Sequence, residues 1–300
     1  MGMTRRRLLA PVAALLAATA VLAPSATEPV RADDTAPASV VLDRGLRYVA
    51  MGDSYSAASG VLPPDPEADP RCARSLVNYP HVVAERIGAR LTDVTCGGAA
   101  TVDYRREQHR GVAPQLDALG RRTRLVTMTI GGNDSGVFIN SIVRCGALGA
   151  TTAGRGSPCK DEYGSSFADT VREKTFPALV RTLRAVNRRA PRAEVAILGY
   201  PWILPERVGC FDKMPVARGD VPYLRNLQAV LNDAVRRAAR RTDVTYVNLN
   251  RVSEGHDACQ PIGTRWVEPV AQGTNPVVVH PNALGERRMA TRTIRVLGLR

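Results

Sequence analysis

Lysine is nearly missing from this chain. Lys160, Lys174 and Lys213 are the only three among 41 basic side chains, so the formal charge of +13 is carried by arginine. With alanine, valine and glycine also abundant, the excess reads first as the bias of a GC-rich genome and a solvated basic surface. The functional alternative is attraction to anionic surfaces such as a lipid–water interface. Aromatic residues make up only 5%, which argues against a ring-lined sugar groove or a base-stacking surface. No basic run interleaved with aromatics occurs outside the leader, so nucleic acid is not an expected partner. No two of the six cysteines are close enough for a C-x-x-C motif, which weakens zinc and dithiol-redox readings. There is no G-x-x-x-x-G-K-[ST] phosphate loop, and Gly131-Gly132-Asn133 falls short of a dinucleotide fingerprint.

The N-terminus carries its own signal. Arg5, Arg6 and Arg7 precede an apolar run from Leu8 to Ala23, and Val30-Arg31-Ala32 offers small residues for cleavage. This pattern predicts a signal peptide over residues 1–32. Thr4-Arg5-Arg6-Arg7-Leu8-Leu9 also resembles a twin-arginine signal, so the export route stays open. The apolar run is short for a membrane span, and nothing later approaches one. Residues 33–45 read as a mobile mature N-terminus. An exported chain with an even cysteine count is expected to form disulfides. Six cysteines allow fifteen pairings. The sequential one, Cys72–Cys96, Cys145–Cys159 and Cys210–Cys259, closes the shortest loops and is preferred.

From Arg47 onward, short β-rich runs alternate with helical stretches. Strands are predicted at Arg47–Met51, Leu91–Thr95, Leu125–Ile130, Glu194–Leu198 and Val244–Val247. Helices are predicted at Tyr79–Ile87, Phe167–Arg189 (bent at Pro177), Tyr223–Arg241 and Ala283–Val296. Loop-rich segments are expected near Gly60–Val77, Ala147–Ser166 and Arg251–Pro281. Strand–helix alternation implies a parallel sheet with helices on both faces, and a site where the strands end.

Four short blocks converge on those strand ends. Gly52-Asp53-Ser54-Tyr55-Ser56 follows the first strand. A serine there is placed as a nucleophile, although the same pattern also suits a helix N-cap. Cys96-Gly97-Gly98 follows the second strand, where glycine lets backbone N–H groups approach a ligand, or simply makes a turn. Gly131-Gly132-Asn133-Asp134 follows the third, where an Asn amide can donate to a negative oxygen or cap a turn. His280, between Val277-Val278-Val279 and the last helix, is the best-placed base of four histidines. His81 reads as structural, His109 as exposed, and His256, beside Asp257, as the rival base.

In this order the blocks resemble the SGNH hydrolase superfamily, also called GDSL lipases and esterases. The likeness is greatest to the secreted, disulfide-containing branch of actinomycetes. It covers about Arg47 to the end. The resemblance implies a single domain over residues 46–300, an α/β/α three-layer sandwich around a parallel five-stranded sheet of flavodoxin-like form. It implies Ser54 as nucleophile, His280 as base, and an oxyanion hole from the Ser54 N–H, Gly98 and Asn133. It also implies three sequential disulfides and hydrolysis of carboxylic esters through an acyl-enzyme, with neither metal nor organic cofactor. A lipid or other small-molecule ester is the expected substrate, and the chain is expected to work as a secreted monomer.

One departure stands out. The family often carries Asp three residues before the histidine, and here that position is Val277. Either the Val277 backbone carbonyl orients the imidazole, leaving a Ser–His dyad, or Asp257 or another acid reaches in. A carbohydrate or cell-wall acyl esterase or acyltransferase would use the same residues. A non-catalytic binding module is disfavoured because Ser54 and His280 are both present.

Overall fold

The computed structural model describes residues 45–299. The expected leader at 1–32, and all of the expected mobile stretch 33–45 except Gly45, lie outside the described residues. Five strands, β1 (Arg47–Gly52), β2 (Arg90–Asp93), β3 (Leu125–Thr129), β4 (Glu194–Leu198) and β5 (Thr245–Val247), form one parallel sheet in the order β2-β1-β3-β4-β5. All five residues of β3 are buried. That suits a central strand covered on both faces.

The helices divide between the two faces. Val49, Met51, Val126, Met128 and Ile197 point to a core shared with α6 (Phe176–Arg189) and α7 (Asp220–Arg241). The alternate residues Tyr48, Ala50, Leu125, Ala196 and Leu198 meet α2 (Tyr79–Ile87) and α8 (Ala283–Leu297). The period-two alternation of each strand thus sorts its side chains between two helical layers. The strand order reverses direction between β1 and β3, and in such sheets ligands bind at the carboxyl ends flanking that switch point.

One expectation is corrected and another refined. Residues 147–166 are not mainly loop. They hold the end of α3 (Val137–Thr151), all of α4 (Pro158–Tyr163) and the first residue of α5 (Ser166–Thr170). Gly146 and Gly149 lower the local helix propensity. Tertiary packing explains the second of them, because a Cβ on Gly149 would lie 2.3 Å from the Pro215 carbonyl oxygen. The helix expected over Phe167–Arg189 is present, running without a break from Ser166 to Arg189. A single π-helical turn, Val171–Thr175, joins α5 to α6, and Pro177 falls in the first turn of α6. The Phe176 N–H donates to the Val171 carbonyl to close the π turn, so Pro177, which has no N–H, falls where the regular i→i−4 ladder is already interrupted.

Disulfides join Cys72 to Cys96, Cys145 to Cys159, and Cys210 to Cys259. The second bonds α3 to α4. The third ties the long segment after β5 to the segment after β4.

Candidate active site

The turn after β1 is built around Gly52. Its φ is +122°, and a Cβ would lie 2.4 Å from the Thr129 carbonyl oxygen, so only glycine lets β1 and β3 stay paired at this point. The Gln115 side chain engages both Gly52 backbone groups, at 2.7 and 3.0 Å. Asp53 follows, and its Oδ1 accepts the Tyr55 N–H at 3.1 Å to cap the short helix α1 (Ser54–Ala57). The capping role therefore belongs to Asp53 and not to Ser54. Ser54 is left as the first helical residue, and among the described residues its backbone N–H meets no protein acceptor.

His280 faces it. The imidazole Nε2 lies 2.7 Å from Ser54 Oγ. Its Nδ1 lies 2.7 Å from the Val278 carbonyl oxygen. This corrects the expectation for Val277. Val279 adopts a left-handed φ of +59°, which turns the preceding peptide so that the Val278 carbonyl, two residues back, meets the ring. The Val277 N–H is instead held by Asn275 Oδ1 at 2.9 Å. A carbonyl only accepts, so Nδ1 must carry the proton and Nε2 presents its lone pair to the serine. Burial pushes the imidazole below its ordinary value of 6.5, against a smaller opposite pull from the Val278 carbonyl. The ring is therefore neutral at pH 7 and able to accept a proton.

The alternative partners are occupied elsewhere. The Asp257 carboxylate accepts from the Cys259 N–H and the Gln260 amide, and His256 bonds the Thr264 carbonyl while stacking on Trp266. His81 bonds Asn78 beside Asp93.

The segment carrying His280 is fixed from below. The Glu268 N–H donates to the His280 carbonyl and the Glu268 carbonyl accepts from the Val279 N–H, both at 2.9 Å. Glu268 itself forms a buried pair with Arg265 at 2.6 Å. Its carboxylate also accepts from the Asn282 amide and the Thr274 N–H. Burial alone would raise the Glu268 carboxyl, but these donors together hold it below the usual range. Asn282 in turn caps α8 through Leu284 and Gly285.

The two remaining turns meet each other. Gly98 has φ +77°, and its added Cβ would touch only Gln108 at 3.6 Å, so conformation rather than space demands glycine. Among the described residues its N–H also lacks a protein acceptor. Asn133 donates one amide hydrogen to the Ala99 carbonyl at 3.0 Å. That bond fixes the side chain next to Gly98 and leaves the second hydrogen of the amide for a ligand. Asp134 tightens the same junction by accepting from the Thr101 N–H and hydroxyl, both at 2.8 Å.

Residues 50–288 match the GDSL-like Lipase/Acylhydrolase family. The chain is 58% identical over 288 residues to Lipase 2 of Streptomyces coelicolor, covering 95% of this chain and 96% of that protein. Two crystal structures superpose well. Phospholipase A1 from Streptomyces albidoflavus NA297 gives a TM-score of 0.68, and the extracellular lipase from Streptomyces rimosus gives 0.67. Each is 26% identical and covers 84% of this chain and 98% of its own. The chain belongs to the GDSL-like lipase and acylhydrolase family. It is accordingly a serine ester hydrolase.

Three features of this GDSL hydrolase were not read from its sequence. One is a cavity of about 380 Å³ beside the dyad, walled by α3 and by residues such as Met214, Pro215, Leu227 and Val278. Phe138 of α3 lies edge-on to the His280 ring at 6.0 Å and lines the cavity, so the cavity opens next to the Ser54–His280 contact. Ile139 and Val143, one helical turn apart, stand more than half exposed at its rim. The second is Tyr55, which donates to the Val279 carbonyl at 2.7 Å and thereby ties α1 to the histidine segment. The third is Tyr200, at the end of β4. Its position after a strand was a usable signal. A tyrosine within Gly199-Tyr200-Pro201 nevertheless carries no chemical mark of its own.

Proposed function

We propose that this protein hydrolyses lipid or fatty-acyl esters by a Ser54–His280 dyad. The observation that carries the reading is the pair of 2.7 Å contacts made by one neutral imidazole, Nε2 to Ser54 Oγ and Nδ1 to the Val278 carbonyl. His280 takes the proton of Ser54 as its Oγ attacks the ester carbonyl. The Ser54 N–H, the Gly98 N–H and the free amide hydrogen of Asn133 receive the oxyanion, and loss of one such donor typically costs about 3 kcal/mol. The intermediate collapses when His280 passes its proton to the leaving alcohol. Water then attacks the acyl-Ser54 with His280 again as base, and the acid departs. The backbone carbonyl does what an acidic third member does for tautomer and orientation, without adding a negative charge.

The apolar cavity supports a hydrocarbon acyl group over an acetyl group on a glycan, since its walls are aliphatic and offer few partners for hydroxyls. Three disulfides suit action outside the cell after removal of residues 1–32. The test is kinetic. Ser54→Ala and His280→Ala should each nearly abolish turnover of a p-nitrophenyl ester with a native circular-dichroism spectrum, while Asp257→Asn keeps most of it. Ordinary activity in either of the first two variants overturns the assignment. A loss of several orders of magnitude in Asp257→Asn would make it the third member.

A further inference from the structure

We propose that Tyr200 is a positioning residue for this hydrolysis: its single hydroxyl locks the turn that bears Asn133 to the turn that bears Ser54. The proposal rests on the oxyanion role given to Asn133 above. The phenol oxygen lies 2.5 Å from Asp53 Oδ2 and 2.9 Å from the Gly132 nitrogen. Burial pushes the Asp53 carboxyl up to about 6, so above that pH it is a carboxylate, the hydroxyl donates to it, and the hydroxyl's lone pair is left for the Gly132 N–H. Asp53 directly precedes the nucleophile and Gly132 directly precedes the amide donor. One oxygen atom thus fixes the spacing between two groups that must converge on the same carbonyl carbon and oxygen.

The rest of the surroundings hold Tyr200 rigid. Asn232 on α7 accepts from its backbone N–H at 2.8 Å and donates to its carbonyl at 2.9 Å. Its ring meets Tyr55 edge-on with centroids 5.1 Å apart, and Tyr55 in turn packs against His280 at 5.2 Å. Gly132 has no slack either, because a Cβ there would lie 3.1 Å from the phenol oxygen. Burial and the nearby Asp53 charge keep the phenol protonated, so it remains a donor throughout the working pH range. Asp53 is matched by three donors, the Tyr55 N–H, the Thr129 hydroxyl and Tyr200. Only Tyr200 reaches across to the Asn133 turn.

A double-mutant cycle separates positioning from mere support. Tyr200→Phe removes one oxygen and keeps the ring. It should lower kcat about tenfold at nearly constant KM, since displacements of about 1 Å cost roughly a hundredfold and this change is smaller. Asn133→Ala should lower kcat further. In the Asn133→Ala background, Tyr200→Phe should cost less than about twofold, because the group it positions is gone. Thr129→Val serves as the control: it removes another donor to the same carboxylate but no link to Gly132, so its effect should multiply with Asn133→Ala. Full independence of Tyr200→Phe and Asn133→Ala overturns the proposal, as does an unaltered kcat in purified, folded Tyr200→Phe. If Asn133→Ala itself loses no activity, the oxyanion reading fails instead. If Tyr200→Phe does not fold, replacing the tyrosine with 3-fluorotyrosine keeps the oxygen and changes its donor strength. A kcat that follows the fluorination in the parent but not in Asn133→Ala supports the proposal, and indifference in both overturns it.

Discussion

The cavity beside the dyad makes a quantitative prediction through Gly146. This residue lies in α3, eight positions after Phe138, which at 1.5 Å per residue places it about 12 Å along the helix from the ring that touches His280. It lines the cavity, and a Cβ there would meet only Pro215 Cγ, at an ordinary 3.6 Å. Gly146→Leu should therefore fold, and helix propensity favours it by up to about 1 kcal/mol. Its four added carbons displace about four methylenes of a bound acyl chain. At about 0.8 kcal/mol per buried methylene, the loss is about 3 kcal/mol, or about two hundredfold in kcat/KM for the longest chains. The parent enzyme should gain about fourfold per methylene until the cavity is filled. The assay is a p-nitrophenyl ester series from acetyl to palmitoyl below the aggregation limit of each ester. The acetyl ester should lose far less than the long chains. Parallel profiles for the two proteins, or a parent optimum at acetyl, would refute the acyl-pocket reasoning.

Further outcomes are expected at His280 and at Glu268. The acid limb of kcat/KM should have its midpoint below pH 6.5, because burial depresses the His280 imidazole and the neutral form is the base; a midpoint above 6.5 would contradict this. The same shift means that the unfolded chain binds this proton more readily, so stability present above pH 6.5 falls as the pH drops through that value. Glu268→Gln should leave Arg265 buried without its charge partner, at about 3–5 kcal/mol in urea denaturation. Activity should fall as well, since Glu268 braces the His280 segment. A cost under about 1 kcal/mol would show that the pair is dispensable.

Much of the sheet was legible because its strands are short apolar runs with sharp ends. Glu194–Leu198 and Tyr79–Ile87 begin and end where residue type alone places them, the latter between an Asn cap and a glycine at its left-handed end. The Ser54, Gly98, Asn133 and His280 blocks were legible for a related reason. Each follows a strand or precedes a helix, and the parallel topology carries them to one edge. What escaped was decided by contacts distant in sequence. α3 is irregular by propensity, with two glycines of which only Gly149 is accounted for by packing, against the Pro215 carbonyl. The hydrogen-bond partner of His280 was displaced by one residue because a β-branched valine adopts φ +59°, a conformation no local rule would assign to it. Tyr200 matters through a hydroxyl that reaches residues 147 and 68 positions away.

Because the acceptor that steadies His280 belongs to the main chain, no side chain at position 278 is committed to that task. Val278 is 42% exposed and lines the cavity. Its side chain can therefore be exchanged to suit a different acyl group while the peptide beneath it goes on serving the imidazole. On the proposed mechanism, substrate preference and proton transfer are separable within a single residue, so a saturation library at position 278 should redistribute specificity with few dead members.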